Sequence, residues 1–133
     1  MAEPGKKVLL ADDEADVHAF VEAALEDDVP QIIHAYDGQA ALDMTASEKP
    51  DLVILDVQMP EKNGFEVFAE LRKSDQTKAI PVIMLTAVSE RTGILFSARD
   101  MGDYYGSEPD AYIDKPIEPE KLRETVRNLL GIA

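Results

Sequence analysis

The 133-residue chain has no cysteine and no tryptophan, and only four phenylalanines and four tyrosines. Without cysteine there is no disulfide, no thiolate nucleophile and no cysteine-ligated metal. Basic residues are scarce: 13 Lys and Arg stand against 27 Asp and Glu, a net charge of −14. That balance argues against direct binding of nucleic acid, because phosphate contacts draw mainly on Lys and Arg. It equally disfavours docking on anionic membranes. No apolar run approaches the roughly 20 residues of a membrane span. The opening residues lead into no apolar stretch of signal-peptide length, so a soluble cytoplasmic protein is the expectation.

What is present suits a folded domain. Hydrophobic residues make up 45% of the chain and charged residues 30%, within the range of ordinary globular proteins. The length is right for one domain with one core, expected over residues 1–133 and ordered from about 5 to 131. The stretch that organises it is Asp51-Leu-Val-Ile-Leu-Asp56-Val-Gln-Met-Pro60. It is apolar from Leu52 to Leu55 and stops on a carboxylate. Short apolar runs bounded by turn residues mark strands buried on both faces of a parallel sheet. Such a strand puts Asp56 at the sheet's carboxyl edge, where open α/β sheets bind ligands.

The rest of the chain alternates. Lys7 to Ala11 reads as a first strand, ending on Asp12-Asp13-Glu14. Val17, Phe20, Val21, Ala24 and Leu25 then recur at helical spacing. Asp12 or Asp13 could cap that helix. Gln31 to Ala35 is a weaker strand, followed by a turn at Asp37-Gly38. A short helix presents Ala40, Ala41, Met44 and Ser47, and ends by Lys49-Pro50. After the Asp56 strand, Gly64 to Lys73 is helical. Ile80 to Leu85 is a fourth strand stopping on Thr86-Ala87. Glu90 to Met101 should be a helix, and Ala111 to Ile113 a fifth strand before Asp114-Lys115-Pro116. Pro119 opens a last helix that stops at Gly131. Five strands alternating with five helices mean a parallel sheet covered on both faces.

Four of the strands therefore end on polar groups along one edge: Asp12 with Asp13, Asp56, Thr86 and Lys115. Like charges at about 4 Å cost on the order of 4 kcal/mol per pair at an effective dielectric near 20. A hard divalent cation with oxygen ligands relieves that, and an incomplete cage suits Mg²⁺ shared with a phosphate. A metal, an ammonium and a hydroxyl around one carboxylate could stabilise a transferring phosphoryl group, with Asp56 as nucleophile. Each residue has a plainer reading alone. Asp12 and Asp13 could be caps, Asp56 a turn residue, Thr86 a strand end and Lys115 a solvated lysine. Their joint placement is what carries the chemistry.

This pattern resembles the receiver domain of two-component response regulators over nearly the whole chain. The residues that carry it are Asp12-Asp13, Asp56, Met59-Pro60, Asn63-Gly64, Thr86-Ala87 and Lys115-Pro116. The resemblance implies a flavodoxin-like three-layer sandwich with strand order 2-1-3-4-5. It implies that a sensor histidine kinase, a phosphotransfer protein or a small donor phosphorylates Asp56, switching a surface that binds a downstream protein. Asp13 and Asp56 would bind Mg²⁺, or Mn²⁺ in its place, with Asp12 acting through water and Gln58 through its backbone carbonyl. Thr86 and Lys115 would contact the phosphoryl oxygens, with small Ala87 leaving them accessible. Lys115-Pro116 would be cis, and Tyr112 would be the switch aromatic paired with Thr86. A monomer or a phosphorylation-dependent dimer would follow. No turnover of a separate substrate is expected, so the chain is not an enzyme in the usual sense.

Two other readings compete. A phosphohydrolase passing through an aspartyl phosphate would want a second acid two residues after Asp56, and Gln58 stands there. A receiver used only as a scaffold would not need every site residue intact. Met1 and the end shortly after Leu130 favour a stand-alone receiver over one cut from a longer regulator with a DNA-binding or enzymatic output domain. The stretch from Met101 to Asp110 is longer than the family's usual turn. Its Tyr104 and Tyr105 are candidates for a partner face, since aromatics favour interfaces. His18, on a helix, and His34, inside a strand, read as structural or solvated. The acids Glu22, Glu26, Asp27 and Asp28 read as a solvated helix face.

Overall fold

The computed structural model describes residues 6–29, 31–59, 61–87 and 109–131. In chain order the elements are β1 (Lys7–Ala11), α1 (Ala15–Leu25), β2 (Gln31–Ala35), α2 (Gly38–Glu48), β3 (Leu52–Asp56), α3 (Gly64–Lys73), β4 (Val82–Ala87), β5 (Ala111–Lys115) and α4 (Pro119–Leu130). The strands form one parallel sheet of order β2-β1-β3-β4-β5. The expected helix at Glu90 to Met101 and the Tyr104-Tyr105 stretch lie outside the described residues.

Alternation along each strand divides the core between two layers. Leu9, Val53, Leu55, Val82 and Met84 face α2 and α3, meeting Ala41, Val67, Phe68 and Leu71. Val8, Leu10, Leu52, Ile54, Ile83 and Leu85 face α1 and α4, meeting Val21, Leu25, Leu122 and Val126. β3 is buried at every position, as its unbroken apolar run requires. Each fully buried aliphatic side chain contributes about 1.5–3 kcal/mol of transfer free energy, which anchors the central strands. β2, at the edge, is only partly covered.

Two boundaries differ from the sequence reading. β4 begins at Val82 rather than Ile80, since Pro81 has no N–H for the ladder and contributes only its carbonyl, which accepts from Val53 at 3.0 Å. β5 runs two residues further, to Lys115, paired with Ala87. On α2, the buried face runs through Gly38, Ala41 and Thr45 at helical spacing and leaves Ser47 exposed. The buried Thr45 hydroxyl is satisfied by donating to the Ala41 carbonyl at 2.6 Å. The acidic run is not uniformly solvated either. Asp28 is 8% exposed and is held by Arg123 at 3.3 Å and Arg127 at 3.7 Å, which ties the end of α1 to α4.

The loop after β3 is built tightly. Asn63 caps α3 through a reciprocal pair: its side chain accepts from Glu66 N–H at 2.9 Å, and Glu66 accepts from Asn63 N–H at 3.1 Å. Gly64 follows because its Cα lies against the end of β3. A Cβ there would come 2.4 Å from the Asp56 carbonyl oxygen. Its N–H donates to the Val57 carbonyl at 2.9 Å. Asn63-Gly64 thus packs the start of α3 directly against the end of β3 at Asp56.

Candidate functional site

At the carboxyl edge the parallel register brings the strand ends together. Asp12 follows β1, Asp56 ends β3, Thr86 lies near the end of β4 and Lys115 ends β5. One carboxylate oxygen from each of Asp12, Asp13 and Asp56 falls within 4.8 Å of the other two. Asp12 is wholly buried and Asp56 6% exposed, whereas Asp13 is exposed. The Lys115 ammonium bridges the buried pair, 3.0 Å from Asp12 Oδ2 and 3.1 Å from Asp56 Oδ1, with Glu14 at 3.8 Å. Lys115 reaches in from a cis Lys115–Pro116 peptide, as the family resemblance implies.

Neither Asp12 nor Asp13 is the N-cap of α1. Glu14 holds that position and makes no side-chain cap. Asp12 Oδ1 instead accepts from the Glu14 N–H at 2.9 Å, so the acidic turn folds back on itself and Oδ2 remains for Lys115.

One cation among three acids leaves the pocket negative. Burial pushes the Asp56 carboxyl up from 3.8 to about 6, helped by the Asp12 charge, opposed by Lys115 and raised further by Asp13. Burial works against the Lys115 charge, but hydrogen bonding and attraction from Asp12 and Asp56 prevail and raise it above 10.5. A group of three carboxylates with exchangeable access through Asp13 is a hard oxygen donor set, fitting Mg²⁺ or Mn²⁺.

The other expected residues are placed as follows. Thr86 is buried, and its hydroxyl donates to Asp114 Oδ1 at 3.1 Å, its register partner on β5. Asp114 had no role in the sequence reading. Tyr112 is half-buried against the α2–α3 layer. Gln58 is exposed just past β3, and the side chain of Ala87 lies outside the described residues. Tyr104 and Tyr105 are outside them too.

Of the two readings left open for the histidines, structural or solvated, the structure gives the structural one. His18 is 3% exposed, with Nε2 2.8 Å from the Asp12 carbonyl oxygen and Nδ1 2.6 Å from Nδ1 of His34. Helical spacing alone could have shown that His18 shares a face with Val21 and Leu25, one turn from the acidic pair.

Known proteins place this arrangement. Residues 8–127 match the model of the response regulator receiver domain. The chain is 35% identical over 125 residues to the alkaline phosphatase synthesis transcriptional regulatory protein PhoP of Bacillus subtilis, covering 94% of this chain and 48% of PhoP. It is 32% identical over 125 residues to protein PilH of Pseudomonas aeruginosa, covering 94% of this chain and 98% of PilH. The chemotaxis protein CheY4 of Vibrio cholerae has a similar structure, with TM-score 0.77, 30% identity and coverage of 93% of this chain and 98% of that one. The chain spans about half the length of the first curated relatives it matches. With the sheet order, the strand-end acids and these matches in agreement, the chain belongs to the receiver domain family of response regulators.

Proposed function

We propose that Asp56 is the phosphoacceptor of a two-component signalling system. The observation that carries this is the buried Asp56 carboxylate, 3.1 Å from Lys115 and grouped with Asp12 and Asp13. A carboxylate oxygen of Asp56 attacks the phosphorus of a phosphohistidine on a sensor kinase or phosphotransfer protein, or of an acyl phosphate. The new O–P bond replaces the P–N or P–O bond, whose electron pair leaves with the donor. Lys115 stands beside Asp56 to meet the negative charge on the transferring oxygens. Asp13 and Asp56, with Asp12 and the Gln58 carbonyl in support, would hold Mg²⁺ or Mn²⁺, which supplies the remaining charge neutralisation. Thr86 would turn from Asp114 to the phosphoryl group, with Tyr112 following, and so alter a protein-binding surface.

The domain then signals by shape. It turns over no separate substrate, and water removes the phosphoryl group. Exposed Gln58 supports this over a phosphohydrolase, since it is no acid–base catalyst. The charge of −14 supports protein partners over direct nucleic-acid contact, with the monomer or a phosphorylation-dependent dimer as the acting form. A cytoplasmic site of action goes with the reading. Among the described residues no helix is long and apolar enough to cross a membrane. Relatives of about twice this length, several named as transcriptional regulators, favour a second reading in which the receiver governs an attached output domain. PilH, matched over nearly its full length, favours the receiver acting alone. The full open reading frame decides between them.

The test is labelling with a radioactive acyl phosphate in Mg²⁺. The wild type takes up an acid-labile label, and Asp56→Asn falls to background. Equal labelling of the two overturns the assignment.

A further inference from the structure

We infer that His18 is a positioning residue for the acidic pair, and that His34 holds it in the tautomer the task requires. This rests on the reading of Asp12, Asp13 and Asp56 as a divalent-cation site. His18 touches none of their carboxylates. It grips the backbone between them.

The Asp12 peptide groups are tied on both sides. Its N–H donates to the Ala35 carbonyl at 3.1 Å, and its own carbonyl faces His18 Nε2 at 2.8 Å. A carbonyl oxygen only accepts, so His18 Nε2 carries the hydrogen. The peptide is planar, so fixing the direction of the Asp12 carbonyl also fixes the Asp13 nitrogen and Cα. Asp13 is the exposed member of the acid group, and among the described residues its side chain makes no hydrogen bond or ion pair. Its carboxylate hangs from a backbone whose orientation His18 sets.

The tautomer follows from the second imidazole. A neutral ring with hydrogen on Nε2 has a bare Nδ1, which must accept. His18 Nδ1 meets His34 Nδ1 at 2.6 Å, so His34 is the donor. The far nitrogen of His34 faces Glu22 at 3.7 Å. The Tyr36 ring stacks on His18 with centroids 4.2 Å apart and covers its other side. His18 is thus held by a carbonyl, a second imidazole and an aromatic face, a degree of constraint that simple core filling does not need. Partners behind a metal ligand that orient it are worth about 10–100-fold in metal affinity.

The test measures Mg²⁺ affinity calorimetrically and the melting temperature of the metal-free protein, on the full chain. His18→Leu keeps an apolar buried side chain and removes the donor. Its Mg²⁺ binding is expected to weaken about tenfold, while His18→Gln, whose amide reaches as far as Nε2, stays within about threefold of wild type. His34→Leu, which releases the tautomer, gives a smaller loss in the same direction and decides the matter should His18→Leu fail to fold. Wild-type Mg²⁺ affinity in His18→Leu, or in His34→Leu where that variant decides, overturns the inference. So does equal weakening in His18→Leu and His18→Gln, because packing alone would then account for it. Asp13→Asn serves as the control: if it binds Mg²⁺ as tightly as wild type, the cation-site reading fails instead, and the two failures are told apart.

Discussion

Two acidic centres in this domain differ in their balance of charge. At the junction of α1 and α4, one acid, Asp28, faces two guanidinium groups, Arg123 and Arg127. At the sheet's carboxyl edge, three acids face one ammonium, Lys115. The first centre is complete and clamps two helices. The second is short of positive charge: burial first, and then the Asp12 and Asp13 charges, raise the pKa of Asp56 further than Lys115 lowers it. A centre satisfied within the protein stabilises the fold, whereas one left unsatisfied is prepared for something from outside. Like charges held together cost stability, and under the proposed function the edge trades that stability for cation affinity.

The largest test of that contrast is the pH dependence of Mg²⁺ binding. On the proposed reading Asp56 binds the cation as a carboxylate, and burial holds its carboxyl up at about 6 in the metal-free protein. Affinity should therefore be level above that pH and fall about tenfold per unit well below it. Stability runs the other way. The folded value lies above the unfolded one, so this group favours the fold most at low pH, and its contribution is lost as pH rises from about 4 to about 6. Calorimetric titrations across pH check both, and a Mg²⁺ affinity unchanged at pH 5 would contradict the charge-deficit picture.

Next in size is a pair of matched substitutions with opposite signs. Asp56→Asn removes a repelled charge and should stabilise the metal-free domain at neutral pH by about 1–2 kcal/mol. Asp28→Asn removes the partner of two arginines and should destabilise it by about 1–2 kcal/mol, while leaving phosphoryl uptake intact. Urea denaturation without metal reads both. Should the two shift stability in the same direction, the two centres do not differ as described.

The smallest effect concerns how the edge is held. Asn63→Ala removes the cap of α3 beside Gly64 and should cost about 1 kcal/mol in thermal or urea unfolding. Because Gly64 sits against the Asp56 carbonyl, labelling of Asp56 should slow as well. The Asp28 centre, on the opposite layer, should be indifferent.

Much of the site was legible because strand endings are local events. An apolar run that stops on Asp56, Thr86 or Lys115 announces a polar group at a sheet edge, and parallel alternation puts those edges together. What stayed hidden is pairing across long separations. Asp28 reads as one more solvated acid until packing of α4 on α1 brings Arg123 within reach, 95 residues on. His18 and His34 read as unremarkable until β2 is laid beside β1. Asp114 gains its contact with Thr86 only through the register of β5 on β4.

The sequence by itself determined the element order, the parallel sheet, the apolar layers and the residue types at the carboxyl edge. These follow from periodicities of two and 3.6 and from where apolar runs end, which neighbours along the chain decide. Tertiary structure alone decided which of many acids are buried and which cations reach them. It made Asp28 a closed ion cluster, Asp56 a carboxyl held up at about 6, and His18 a hand on the Asp12 backbone. The reason is physical: burial and charge balance depend on distances between elements, and no local pattern carries those distances.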